Sequence, residues 1–164
     1  MNELVETLIG DSAATPPDRV LEGINEEFAH RATAGSPHTI YEEVWHLAFW
    51  QQVTLDWINE IDTPCPEHAS HGFPSEEAKH RENWDSLRHR FLEGTQLAAS
   101  VARDETWMKR MIQCPSPPGK PTRTMTVREQ LESLTAHNAY HVGRIVLLRQ
   151  INGSWPPAAG GFTW

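Results

Sequence analysis

The chain has 164 residues, 38% of them hydrophobic and 22% charged, a length and balance that suit one packed core and exclude a disordered chain. Twenty-two acids against fourteen bases leave a net charge of -8, which argues against nucleic acid held on a broad basic face. No apolar run approaches the ~18 residues of a membrane span, and two cysteines are too few for a disulfide framework.

Cys65 and Cys114 stand beside prolines, read as free thiols in loops, and suit a reducing cytoplasm. The acidic opening Met1–Glu6 has no basic stretch of the kind that starts a secretory signal, so a cytoplasmic protein is expected. Proline and glycine then divide the chain into four helical stretches within a single domain, 1–164.

The first stretch, about 4–30, is interrupted. Leu4 to Ile9 is apolar-rich, and Thr15-Pro16-Pro17-Asp18 reads as a cap with proline in the first turn. Val20, Leu21, Ile24 and Phe28 then recur at helical spacing until Gly35-Ser36-Pro37. Thr39 and Glu42 form a capping-box pattern that opens a second helix over 40–60, with Val44, Leu47, Leu55 and Ile58 on its apolar face. Residues 62–74 hold three prolines and read as a loop. Thirteen extended residues reach about 43 Å, enough to place the second and third helices parallel but not demanding it.

Ser75 caps a third helix over 75–103, with Trp84, Leu87, Phe91, Ala98 and Val101 as its buried stripe. Between Asp104 and Met125 the pattern is mixed: Trp107, Met108, Met111 and Ile112 suggest a short helix, and no strand pattern is visible. Thr126 and Glu129 form a second capping box, opening a fourth helix over 126–151. The tail, 152–164, is irregular. The expectation is an all-α four-helix bundle with long second-to-third and third-to-fourth connections.

Nine histidines carry the functional reading. His137 and His141 stand at i and i+4 on one helical face, close enough to share a metal ion. Leu134, Ile145 and Leu148 share that face, so the rings look inward and need partners for their nitrogens. Spacing alone leaves two readings open, hydrogen-bonded core histidines and metal ligands. A zincin is excluded, because Asn138 stands where that motif needs glutamate. His46 shares its side of the second helix with Glu43, Trp50, Val53 and Trp57 and is the best third ligand, completing a His₃ set with open coordination positions.

The other six histidines, His30, His38, His68, His71, His80 and His89, read as solvent-facing. Glu27-x-x-His30, Glu43-x-x-His46 and Glu77-x-x-His80 match the pattern of di-iron carboxylate bundles. Leu134 and Asn138 stand where the fourth helix would need glutamates, which weighs against that site.

The stretches Ser36–Gln51, Ala136–Arg149 and Gly153–Pro157 resemble, in order and spacing, the DinB-like superfamily. The most specific element is the lone helix-two histidine followed about 90 residues later by His-x-x-x-His. The resemblance implies an up-down-down-up four-helix bundle, a divalent metal on His46, His137 and His141, and a homodimer. Relatives include bacillithiol- and mycothiol-dependent S-transferases, a maleylpyruvate isomerase and a cyclopropane hydrolase. The expected function is therefore metal-dependent thiol transfer to a small molecule with a low-molecular-weight thiol cosubstrate. The alternatives are a metal-dependent hydrolase and a non-catalytic metal-binding stress protein. Zinc or nickel are the first choices of ion, with iron or manganese next. Trp50, Trp57, Tyr140 and Arg144 are candidate pocket residues, Arg144 as a bidentate grip on a carboxylate.

Overall fold

In a computed structural model of the chain, which describes residues 2–10, 12, 14–158 and 160, two capping boxes open the helices that carry the histidines. Thr39 accepts from the Glu42 amide while Glu42 accepts from the Thr39 amide, starting a helix over Ile40–Ile58. Thr126 and Glu129 do the same for Val127–Ile151. The helices in chain order are α1 (Glu3–Ile9), α2 (Pro17–Val20), α3 (Glu26–Ala29), α4 (Ile40–Ile58), α5 (Glu76–Arg81), α6 (Trp84–Ala102), α7 (Glu105–Met108) and α8 (Val127–Ile151). Two strands, β1 (Met111–Cys114) and β2 (Arg123–Thr126), lie between α7 and α8. The fold is all-α apart from that hairpin, and no described helix is long and apolar enough to cross a membrane.

Hydrogen bonds between elements fix the topology. Tyr41 Oη donates to the Glu82 carbonyl just ahead of α6, and Gln51 Nε2 donates to that of Phe91, so numbers rise together and α4 runs parallel to α6. Glu43 meets His141, and Thr54 meets Gln130, so α8 runs antiparallel to α4. Asn2 donates to the Ala102 carbonyl while Ile9 borders Leu92 and Gln96, which makes α1 antiparallel to α6. The order is up-down-down-up, and residues 59–75 form the crossover between the parallel pair.

Four local expectations change. Thr15 is not a cap: Pro16 holds that place, and α2 ends at Val20, with Leu21 as its C-cap, because Gly23 turns the chain at φ 72 and Asn25 caps a new helix by accepting from the Phe28 amide. Val20, Leu21 and Ile24 are buried all the same. The expected helix over 75–103 is broken between α5 and α6. Glu82 is extended, its carboxylate grips Arg90 twice, and Asn83 caps α6 through the Ser86 amide.

The third change is the hairpin. Only Glu105–Met108 is helical, capped by Asp104, and Met111 pairs antiparallel with Thr126 and Cys114 with Arg123. Cys114 is thus a buried strand residue rather than a loop thiol. Burial alternates along β1, but a four-residue strand offers too few repeats to stand out from a helix start. Thr126 both closes β2 and caps α8, so the hairpin leads directly into the helix bearing two of the histidines. The fourth change is in the crossover loop, where Ala69–Gly72 forms one 3₁₀ turn. Residues 152–158 are irregular as expected; 161–164 of the tail lie outside the described residues.

Candidate metal centre

The antiparallel pair α4 and α8 brings His46 level with His137 and His141. Ring centroids are 5.0 Å apart for His46 and His137, 4.4 Å for His46 and His141, and 4.5 Å for His137 and His141. One nitrogen from each lies within 4.8 Å of the others. His46 and His141 are buried, His137 half-buried.

Two of the rings have their orientation fixed from behind. His46 Nδ1 donates to the Gly72 carbonyl at 2.8 Å; a carbonyl only accepts, so Nδ1 carries the proton and Nε2 keeps its lone pair. His141 Nδ1 donates to Glu43 Oε2 at 2.6 Å, with the same consequence for its Nε2. His137 has no such support, and its buried Nδ1 lacks a hydrogen-bond partner. Its Nε2 lies 3.0 Å from His46 Nε2, the atom whose lone pair is free. Glu43 is fully buried and holds His141 on one oxygen, while Arg144 lies 2.9 Å from the other in an ionic contact too oblique to be a hydrogen bond.

Burial pushes His46 down to about 4, against the pull of the Gly72 carbonyl. Burial likewise pushes His137 down to about 4, helped by repulsion from His141 and then His46. Both rings are therefore neutral at pH 7, the form that ligates. Three imidazoles, two with Nδ1 occupied and Nε2 turned to a common point, fit a divalent cation of the kind imidazole suits, zinc, nickel, copper or iron.

Beside the triad lies a cavity of about 440 Å³ between α4, α8 and the hairpin connector. Trp50, Trp57 and Leu134 line its sides, His137 one wall, and Lys120 and Arg123 the hairpin edge. Tyr140 does not line it: at 63% exposure it stands on the outer face of α8. Arg144 is also absent from the cavity, committed instead to Glu43.

A family model described as the DinB superfamily matches residues 18–145, a span that takes in all three histidines. The chain belongs to the DinB superfamily. Among curated proteins no match is found.

In this DinB-superfamily chain the Glu-x-x-His pattern at Glu43 has a different use from the di-iron one. Glu43 stands behind a ligand as its hydrogen-bond acceptor, while Glu27 and Glu77 are exposed. Of the six other histidines, His68, His71, His80 and His89 are exposed. His30 and His38 are half-buried, contrary to expectation, because His30 stacks on Tyr41 at 4.2 Å and His38 on Phe73 at 3.8 Å. The other face of Phe73 stacks on His46 at 4.2 Å, so the end of the crossover loop wedges the ligand ring in place. Gly72 permits this closeness: a Cβ there would meet Trp50 Nε1 at 3.1 Å and His46 Nδ1 at 3.2 Å. Glu43 could have been singled out as an acid one turn before His46 on the same face. Nothing local marks Gly72, Phe73, Lys120 or Arg123 as neighbours of the site.

Proposed function

We propose that the chain is a metal-dependent enzyme that transfers a low-molecular-weight thiol to a small electrophile. The observation that carries this reading is the pairing of three, not four, convergent imidazoles with a cavity that ends on one of them. A divalent ion held by His46, His137 and His141 would supply the Lewis acidity that makes a thiol nucleophilic at neutral pH.

The remaining work falls to the chain. Gly72 and Glu43 keep the protons of His46 and His141 on Nδ1, away from the ion's side. The Glu43 carboxylate, in ionic contact with Arg144, accepts the His141 Nδ1–H and fixes the orientation of that ring. Trp50 and Trp57 give the approach two apolar walls against which the carbon skeleton of an electrophile can pack. A cytoplasmic setting belongs to the same proposal, since Cys65 and Cys114 are both free. So does a homodimer, for which Tyr140, Leu147 and Ile151 offer an exposed stripe along α8.

Cobalt substitution tests the reading. The experiment uses Cys65→Ser/Cys114→Ser protein, because Cys65 borders the cavity and would compete. Bacillithiol, mycothiol, glutathione and cysteine are added in turn at neutral pH. One of them should give a sulfur-to-cobalt charge-transfer band and attack a model electrophile faster than the free thiol. His46→Ala should abolish both effects while the helical signal persists. No band and no acceleration with any thiol would reject transfer; ester hydrolysis by the same protein would replace it with the hydrolase reading.

A further inference from the structure

The cavity departs from the charge balance of the chain. Acids outnumber bases 22 to 14, yet no acidic side chain lines it, and its two charged lining residues, Lys120 and Arg123, are both cations. Most cations elsewhere are engaged: Lys79 by Glu42 and Glu76, Arg90 by Glu82, Arg110 by Glu60, Arg128 by Glu105. Lys120 and Arg123 have no acidic partner among the described residues, and both are exposed at the hairpin edge. Burial pushes the Cys65 and Cys114 thiols up, and the nearby Arg123 charge opposes that rise.

The length of the cavity follows from the helices. Along α8 the cavity is bordered from Gln130, which bonds to Thr54 and meets Cys114 of β1, to His137 seven residues on. Seven residues of helix span about 10 Å. Along that distance run Trp50, Trp57 and Leu134, with Pro115 and Pro117 from the connector. The cavity therefore has apolar walls, cations without acidic partners on its hairpin edge, and a ligand imidazole in its lining.

We infer that the cavity binds an organic anion: a flat apolar body between Trp50, Trp57 and Leu134, a carboxylate or similar acid at Lys120 and Arg123, and the reacting end at His137. This deepens the proposed function and rests on it for the reacting end, though not for the binding. The acid belongs either to the electrophile or to the thiol, which share the same chemistry at the hairpin.

Calorimetry on the full chain without metal, titrated with phenylpentanoate and with its neutral amide, tests the electrophile arm. The acid should bind about tenfold more tightly than the amide, the discrimination expected of a charge-assisted contact. In Lys120→Ala/Arg123→Ala protein the two should bind alike. Lys120→Glu/Arg123→Glu protein should favour the amide. The thiol arm compares mercaptohexanoate with mercaptohexanol on zinc-loaded chain and the same variants.

A preference in the first arm assigns the acid to the electrophile, and a preference only in the second assigns it to the thiol. Equal binding of acid and neutral partner in both arms overturns the inference, as does a preference that survives charge reversal. Failure of thiol transfer would leave the metal-free binding result standing. Transfer that is indifferent to the charge of both substrates would keep the transferase and remove the anion site.

Discussion

Two apolar clusters flank the histidines, built on the same three long helices, and they differ in how they are closed. One joins Tyr41, Val44 and Leu47 of α4 to Trp84, Leu87 and Phe91 of α6 and Ile145 of α8, and is covered by Val20 and Leu21 from the N-terminal segment. Trp84 even donates its indole N–H to the Ile24 carbonyl. The other joins Trp57, Ile58, Ala98, Leu131 and Leu134, and is covered by α1 and by Ile112 of the hairpin. A two-stranded ribbon with a proline-rich connector is a thinner cover than a helix, and there the cavity opens. On α8, His137 and His141 fall between Leu134 of one cluster and Ile145 of the other, and His46, between Val44 and Leu47 on α4, meets them at that level, so the ligands stand on the border. The sealed half backs the rings, and the cavity in the open half reaches His137.

Stability measurements should expose this difference most strongly. Phe91→Ala, in the sealed half, should cost about 3–5 kcal/mol in urea denaturation. Trp57→Ala should cost clearly less, because part of its ring faces the cavity and has fewer atoms to lose. Equal losses would mean that the two halves are packed alike.

The pH dependence of the metal-free chain comes next. Both His46 and His137 are depressed to about 4 by burial, whereas the unfolded chain takes up protons on them near ~6.5. Their neutral forms therefore contribute stability that is fully present above ~6.5 and is lost as pH falls from there through about 4. For His46 the loss reaches on the order of 3 kcal/mol, at about 1.4 kcal/mol per unit. His46→Asn/His137→Asn protein should show a flatter thermal midpoint over that range. Proton competition for the metal from these two rings should likewise set in toward pH 4 rather than near ~6.5, where unburied histidines would place it.

A smaller effect is expected of Glu43→Gln, which keeps the shape and removes the charge behind His141. Zinc affinity, measured by chelator competition, should fall roughly 10- to 100-fold while helical content holds. An unchanged affinity would make Glu43 a partner of Arg144 alone. Smaller again is Gly72→Ala. The new Cβ must displace Trp50 or His46 by a few tenths of an ångström, and zinc affinity should fall by about threefold, no more than a neutral hydrogen bond is worth.

The border itself was largely legible in the amino-acid sequence, and its surroundings were not. Thr39 with Glu42 and Thr126 with Glu129 act within three residues, so the starts of α4 and α8 can be read directly, as can the i, i+4 face of His137 and His141. The break before α6 depends on Tyr41, 41 residues away, taking the Glu82 carbonyl, and no local pattern reports that. The role of Glu43 needs His141, 98 residues on, and the same Glu-x-x-His spacing serves a different chemistry elsewhere. Tyr140 stands on the outer face of α8, and Arg144, two turns beyond His137 on the ligand face, lies past the triad against Glu43 rather than at the cavity. Lys120 and Arg123 reach the site only through a hairpin whose strands are four residues long.

X-ray absorption on the zinc-loaded full chain, without added thiol, tests the open three-histidine centre most directly. One zinc per chain should show three imidazoles and at least one further light-atom ligand from solvent, and His137→Ala should reduce both the imidazole count and the zinc content. Two metals per chain, a fourth imidazole, or a sulfur ligand from Cys65 would mean a different or closed site, and would contradict the placement of chemistry at the border of the two clusters.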